Sequence, residues 1–277
     1  MAKELSDERK AANKFFHIAE QNRELLRQIH VVIPVRPADG INVELAKCLS
    51  LWYGEGISWS YLADHMGGFI ECTRANIAHT FKEESDCEYL LMIDNDMVPP
   101  LELPYLLARH KEAVVGSCAM GVSAKYGPML CFTKEDKEGN QRFVTAMYED
   151  DGEIKDTLIP KKGLLEVSHV GTGAMMIRRD VVESFAYEPG DIPFYVPEDI
   201  RSKGFKTGTL LKGEDIVFCE QAQEKGFTVY VDLEAHCGHR KEMALKWDES
   251  KRDPSLSASQ WHAPSTGMII GGKTEDR

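Results

Sequence analysis

Two carboxylates, Asp94 and Asp96, follow the uncharged run of residues 89–93 and precede a double proline at positions 99 and 100. The run is typical of a buried parallel strand, and proline ends it because proline lacks the backbone donor. Residues two apart in an extended chain point to the same side, so these carboxylates repel unless a cation lies near them. Mg²⁺ and Mn²⁺ prefer such oxygen ligands. The spacing therefore predicts a divalent-metal site, although a solvated turn with two acids explains the same short pattern.

A second pair of acids, Glu214 and Asp215, begins a predicted helix over residues 213–226. Acids in the first turn of a helix stabilise its dipole, which accounts for both residues without any chemistry. A carboxylate held at a helix start beside a cleft can also act as a general base. Both interpretations remain open from the residues alone.

Two histidines and a cysteine, His236, Cys237 and His239, follow the last predicted strand over residues 227–232. Closely spaced His and Cys residues suggest zinc, but no paired motif supplies the other ligands of a tetrahedral site. One histidine that joins two aspartates around Mn²⁺ fits the sequence better.

Two arginines could contact an anionic ligand. Arg36 lies in the loop after the first predicted strand, residues 31–33, and Arg74 lies near the start of a predicted helix over residues 71–82. Guanidinium groups bind phosphates and stack on nucleobases. A surface arginine, or one paired with a glutamate, is the structural alternative at both positions.

The stretch Gly171-Thr172-Gly173 precedes a predicted strand over residues 174–177. Two glycines beside a threonine allow a ligand to approach the backbone closely. The stretch is too short for a dinucleotide-binding fingerprint, because it lacks the third glycine and the strand follows the loop.

Alternating strands and helices must position these residues, which predicts an α/β fold. The remaining predicted strands cover residues 59–62, 113–118 and 164–170, with a hairpin over 132–144. The remaining predicted helices cover residues 6–28, 42–52, 101–110 and 180–185.

Composition narrows the classes of protein. The 277 residues carry a net charge of −12, which argues against binding nucleic acid over the whole surface, although the loop 199–212 is basic. Seven scattered cysteines without a C-x-x-C pair indicate reduced thiols. The charged start and the lack of a long apolar run predict a soluble, cytoplasmic protein.

In this order the motifs resemble those of GT-A fold glycosyltransferases, in particular small family-2-like enzymes of the type that bacteriophages encode. The resemblance covers roughly residues 28–242. It implies a single α/β, Rossmann-like GT-A domain with a mixed, mainly parallel sheet flanked by helices. The expected boundaries are an N-terminal helical extension over 1–28, the catalytic domain over 29–242 and a C-terminal tail or flap over 243–277.

The resemblance also implies roles for individual residues. Asp94, Asp96 and His236 would hold Mn²⁺ or Mg²⁺, with His239 as the fallback ligand. Asp215, beside Glu214, would be the catalytic base. The residues implied for the donor are Pro34, Arg36, Arg74, Asp94, Asn95, Gly171, Thr172 and Gly173.

The implied reaction moves a sugar from a nucleotide-diphosphate sugar, with a UDP-sugar favoured, to an acceptor hydroxyl with inversion. The acceptor is expected to be a glycan or a hydroxymethylated pyrimidine in phage DNA, and a virus-encoded enzyme would act in the host cytoplasm. No membrane partner is expected, and a homodimer is left open. A nucleotidyltransferase and a non-catalytic nucleotide- or sugar-binding module are the alternatives.

Overall fold

In the residues that the structure describes, one nine-stranded mixed sheet has helices on both faces and accompanies a smaller three-stranded sheet. The computed structural model describes residues 2–35, 40–63, 70–123, 127–130, 132–135, 141–143, 162–197 and 212–240. In these ranges no helix is long and apolar enough to cross a membrane.

The described helices and strands alternate for most of the chain. The helices are α1 (Ala2–Gln21), α2 (Arg23–Leu26), α3 (Val43–Gly54), α4 (Ile70–Glu84), α5 (Leu103–Ala108), α6 (Arg179–Glu183) and α7 (Glu214–Glu224). The strands are β1 (Ile29–Val35), β2 (Ser58–Ala63), β3 (Tyr89–Ile93), β4 (Met97–Val98), β5 (Val114–Ser123), β6 (Gly127–Leu130), β7 (Phe132–Glu135), β8 (Gln141–Phe143), β9 (Leu164–Glu166), β10 (His169–Val170), β11 (Ala174–Arg178) and β12 (Val229–His239).

The main sheet has the strand order β2-β1-β3-β11-β5-β12-β4. Strand β1 is parallel to β2 and β3, and β12 is parallel to β5. Because β11 is antiparallel to both β3 and β5, those two strands run in the same direction. The strands β2, β1, β3, β5 and β12 thus share one direction, and open α/β sheets bind ligands at the carboxyl ends of such strands. This confirms the expected mixed, mainly parallel sheet flanked by helices.

Side-chain alternation along the strands divides the core into two layers. Leu90 and Met92 pack with α4, α6 and α7, in what we name the α4–α7 layer. Leu91 and Ile93 pack with α1, α2, α3 and α5, in what we name the α3–α5 layer. Asp94 follows Met92 by two residues, so it faces the side of α4 and α7.

Strand β1 continues through Pro34, whereas the sequence predicted that this proline ends it. The ladder between β1 and β3 stops at Val32, while the ladder between β1 and β2 continues to Val35. At Pro34 the strand therefore pairs on one side only among the described strands, and a missing donor is tolerated at such an edge.

The predicted N-terminal helix is broken at Asn22, where α1 gives way to the short α2. The side-chain Nδ2 of Asn22 donates to the carbonyl of Ile18 at 2.9 Å. An asparagine amide that competes for backbone groups in this way disfavours a continuous helix. Phe15 and Ala19 of α1 are buried in the α3–α5 layer, so the described part of the N-terminal extension packs on the sheet.

Strand β12 changes its side-chain orientation along its length. Between Asp232 and His236 it advances four residues, while the paired β5 advances only from Ser117 to Cys118. The three extra residues are an odd number, which reverses the side-chain alternation. Accordingly, Val229, Val231 and Leu233 lie in the α4–α7 layer, whereas Ala235 and Cys237 lie in the α3–α5 layer.

A buried charge cluster holds this irregular segment. Asp232 is 0% exposed, and its Oδ1 accepts a hydrogen bond from the backbone N of Glu234 at 2.8 Å. Nη2 of Arg109, which follows α5, lies 3.0 Å from Asp232 Oδ2 and 2.7 Å from Glu234 Oε2. The segment is thereby fixed from the side of the α3–α5 layer.

We predict that Asp232→Ala lowers the free energy of unfolding by about 3 kcal/mol, because it removes the buried acceptor of the Glu234 backbone N–H and one of the two carboxylates that pair with Arg109. Urea unfolding measures this loss. As a control, Glu8→Ala removes an exposed ion pair with Lys47 and is expected to cost less than about 1 kcal/mol. Equal losses in the two variants would contradict the role given to Asp232.

Candidate active site

The turn that leads from β3 into the first residue of β4, residues 94–97, carries Asp94 and Asp96 at the carboxyl edge of the sheet. The backbone N of Asp94 donates to the carbonyl of Gly173 at 3.0 Å, and the backbone N of Met97 donates to the carbonyl of Asp94 at 3.1 Å. The backbone N of Arg240 donates to the carbonyl of Asp96 at 2.8 Å. The turn is thus tied to the segment before β11 and to the end of β12.

Arg74 is the centre of the site. It lies on α4 and is 3% exposed. Its Nη2 lies 3.1 Å from Asp94 Oδ1, and its Nε donates to Glu214 Oε1 at 3.1 Å. The guanidinium therefore joins α4, the end of β3 and the start of α7, and both sequence-predicted pairs of acids meet at this one residue.

Negative charge is in excess around this guanidinium. Burial alone would lower the pKa of Arg74, but the charges of Asp94 and Glu214 outweigh burial and raise it. Burial raises the pKa of Asp94, and the neighbouring Asp96 and Glu214 raise it further, against the lowering effect of Arg74. A further cation at this position would stabilise the ionised carboxylates.

Glu214 and Asp215 have different surroundings, although they are adjacent in the sequence. Glu214 is paired with Arg74, whereas Asp215 Oδ1 accepts a hydrogen bond from the backbone N of Ile216 at 2.8 Å. Burial, followed by the charge of Glu214, raises the pKa of Asp215 to about 6. A carboxylate with a pKa near neutrality is suited to take a proton as a general base.

The histidine that contacts the aspartate turn is His239. Its Nε2 lies 2.9 Å from Asp96 Oδ2, and it pairs in register with Met97. His236 is exposed and pairs in register with Cys118, which belongs to the α4–α7 layer. The reversal in β12 therefore places His236 on the same face as Asp94, while the short contact to Asp96 comes from His239.

A complete metal cage is not formed by protein groups in the described ranges, since no three His, Cys, Asp or Glu side chains there gather closely enough to hold an ion. The turn carries the carboxylates of Asp94 and Asp96, and the imidazole of His239 contacts Asp96; carboxylates and imidazoles are suitable ligands for Mn²⁺. Mg²⁺ is commonly held by one or two carboxylates together with substrate phosphates and waters. The site fits an ion whose coordination is completed by a bound substrate.

Gly173, one of the residues predicted to bind the donor, contacts the same turn. Gly173 meets Asp94 through its carbonyl, and a Cβ at Gly173 would lie 3.1 Å from Met97 Sδ. The absence of a side chain at Gly173 therefore makes room for Met97. Thr172 is buried beside it. Of the predicted stretch, Gly173 is the residue that contacts the aspartate turn.

The first loop reaches the turn from the other side. Pro34 lies in β1 beside β3, and Asn95 Nδ2 donates to the carbonyl of Gly40 at 3.1 Å. Arg36 lies outside the described residues, as do Arg201, Lys203 and Lys206 of the basic loop. Lys212, at the end of that loop, is described and pairs with Glu220 at 2.7 Å.

Sequence reasoning missed Asn42, which contacts the turn directly. It was part of a predicted helix, but its Nδ2 donates to the carbonyls of Asn95 and Met97 at 2.6 and 2.8 Å. The available signal was its position just before an apolar helical pattern, which is typical of an N-cap. That signal indicates a cap and gives no sign of a contact 53 residues away.

No known family model and no curated protein sequence matches the chain. Among solved structures, A197 from STIV is 15% identical to this chain. The structural alignment covers 80% of this chain and 98% of that chain, with a TM-score of 0.42. GalNAc-T7, solved with UDP, GalNAc and Mn²⁺, is 10% identical to this chain. That alignment covers 78% of this chain and 43% of that chain, with a TM-score of 0.46.

We predict that Asp215→Asn stabilises the protein at pH 8. The folded state holds the Asp215 proton up to about pH 6, whereas an unfolded aspartate releases it near pH 4. Stability is therefore lost as the pH rises through this window, and the cost persists above it. Asparagine removes the charge that Arg74 and Glu214 face but keeps the acceptor for Ile216.

The expected gain in the free energy of unfolding is about 2 kcal/mol at pH 8, falling towards zero near pH 4. Urea unfolding of both proteins across this range measures the difference. A variant that is less stable at pH 8, or that differs equally at both ends of the range, would contradict the raised pKa.

Proposed function

We propose that this protein is a metal-dependent glycosyltransferase that moves a sugar from a nucleoside-diphosphate sugar to an acceptor hydroxyl with inversion. The observation that supports this most is the meeting of Asp94 and Glu214 on one buried guanidinium, Arg74. It brings the predicted metal-binding turn and the predicted base, Asp215, to one place at the carboxyl edge of the sheet.

The carboxylates around Arg74 and the aspartate turn support the binding of a cationic ligand there. Three carboxylates, those of Asp94, Glu214 and Asp215, act on the guanidinium of Arg74, and Asp96 adds its charge beside Asp94. Asp94 and Asp96 would hold the divalent ion, with His236 as the proposed further ligand and His239 orienting Asp96. When bound, the ion supplies Lewis-acid stabilisation of the diphosphate leaving group.

The remaining chemistry belongs to residues of the chain. The acceptor oxygen forms a bond to the anomeric carbon while the bond between that carbon and the diphosphate oxygen breaks. Asp215 takes the acceptor proton, a role consistent with its pKa of about 6. Glu214, held by Arg74, orients the start of α7 and faces the positive charge that develops on the sugar.

Donor and acceptor binding follow from the elements around the turn. We propose that Pro34, Asn95 and the loop containing Arg36 border the nucleoside, and that Gly171, Thr172 and Gly173 border the sugar. A UDP-sugar is the proposed donor. A glycan or a hydroxymethylated pyrimidine of phage DNA is the proposed acceptor, in a cytoplasmic enzyme.

A thermal-shift panel tests the ligand class. Nucleoside diphosphates and nucleotide sugars with Mn²⁺ should raise the unfolding temperature by about 5 °C at roughly 100 times Kd, because they bind only the folded state. Asp96→Asn should abolish the Mn²⁺-dependent part of the shift. The matched control Asp7→Asn, which changes an exposed aspartate, should keep it.

The same panel separates the alternatives. A nucleoside triphosphate that gives the largest shift would favour a nucleotidyltransferase. The absence of any Mn²⁺-dependent shift with every nucleotide would favour a non-catalytic binding module and contradict the proposal.

Variants of the two acid pairs test the division of roles. Asp96→Ala and Asp215→Asn should each lower sugar transfer by at least about a hundredfold, because one loses a metal ligand and the other the base. Glu214→Gln should lose less than Asp215→Asn, since Glu214 acts through Arg74. Initial rates of nucleoside diphosphate release, with folding checked by circular dichroism, measure these effects. Full turnover by Asp96→Ala or Asp215→Asn would remove that residue from the mechanism.

A further inference from the structure

One neutral side chain, Asn42, uses its amide oxygen and both of its amide protons between a helix start and the aspartate turn. Its Oδ1 accepts from the backbone N of Leu45 at 2.8 Å and caps α3. Its Nδ2 donates both protons, to the carbonyl of Asn95 at 2.6 Å and to that of Met97 at 2.8 Å. Helix capping alone needs only the acceptor, so the two donated bonds require another explanation.

The carbonyl groups of the turn show what these two bonds do. The carbonyl of Asp94 accepts from Met97 N, and that of Asp96 accepts from Arg240 N. Asn42 satisfies the two remaining carbonyls, those of Asn95 and Met97. All four successive carbonyl oxygens of the turn are therefore bonded, and two of them depend on one side chain.

The start of α3 contacts the turn by a second route. Glu44, in the first turn of α3, lies 3.2 Å through Oε1 from Nη2 of Arg240, whose backbone N is bonded to Asp96. In return, Asn95 Nδ2 donates to the carbonyl of Gly40, just before the cap. Each segment therefore donates a hydrogen bond to the other: Asn42 donates to the turn, and Asn95 of the turn donates to Gly40.

We propose that Asn42 is a positioning residue that fixes the backbone of the turn and thereby the orientation of the Asp94 and Asp96 carboxylates before any ligand binds. The proposal rests on the proposed function, which makes this turn the binding element for the metal ion and the donor diphosphate. Asn42 contacts backbone groups of the turn and adds no charge, whereas Arg74 contacts the carboxylate of Asp94. Placement and charge compensation are therefore assigned to different residues.

Two substitutions separate the cap from the contact to the turn. Asn42→Ser and Asn42→Asp both keep a good N-cap acceptor for Leu45. Serine has one donor on a shorter side chain, and ionised aspartate has none, so neither can bond both carbonyls. Asn22→Ser is the matched control, because it removes an amide-to-carbonyl bond at the α1–α2 junction.

Amide hydrogen exchange of the ligand-free protein is the first measurement. In both Asn42 variants the amides of Met97 and Arg240 should exchange about tenfold faster, because their acceptors belong to the loosened turn. The amides of Leu45 and Ala46 should keep their protection, since the cap remains. Unchanged exchange at Met97 and Arg240, or equal acceleration at Leu45, would overturn the proposal. Asn22→Ser should leave all four amides unchanged.

Mn²⁺ binding, read from the electron paramagnetic resonance signal of the free ion, is the second measurement. Asn42→Ser should weaken Mn²⁺ binding about tenfold, and Asn22→Ser should leave it unchanged. Wild-type affinity in Asn42→Ser, together with faster exchange at Met97, would overturn the positioning role. If the wild-type protein binds no Mn²⁺ with or without a nucleoside diphosphate, the proposed function fails, and the exchange experiment alone decides whether Asn42 fixes the turn.

Discussion

The buried guanidinium of Arg74 is the interaction on which the candidate site depends. It pairs with Asp94, 20 residues away, and with Glu214, 140 residues away, so it joins elements that local structure alone would not bring together. Without it, the partly buried carboxylates of Asp94 and Glu214 would lose the cation that pairs with them in the described part of the chain, which destabilises the fold. The position of α7 relative to the end of β3, and with it the position of Asp215, follows from this pairing.

The cluster of acidic side chains at the carboxyl edge of the main sheet opposes folding. Asp94 and Asp215 both have raised pKa values, caused first by burial, which means that ionising them in the folded protein is unfavourable. The two apolar layers on either side of the sheet must supply the compensating stability. Such a conflict between stability and charge is expected where a site is kept ready for a cationic ligand or a proton.

Local patterns were sufficient to predict β3, the hairpin of β7 and β8, and α3, because apolar runs, polar turns and helical spacing are short-range signals. They failed at Pro34, whose place in β1 depends on which neighbours continue the sheet. They also gave no indication that Arg74 would pair with Glu214, or that Asn42 would hydrogen-bond to the turn. These contacts form only when segments that are distant in the sequence pack together. The sequence indicated the acids as candidates, but the contacts of Asp94 and Glu214 with Arg74 depend on the fold.

The reversal within β12 depends on the number of residues between Asp232 and His236. Deleting one residue there would exchange the faces of His236 and Cys237, so the imidazole would enter the apolar α3–α5 layer and the thiol would leave it. The side chains of residues 233–235 are constrained as well, because Leu233 and Ala235 are buried and Glu234 pairs with Arg109. In related chains this segment should therefore keep its spacing.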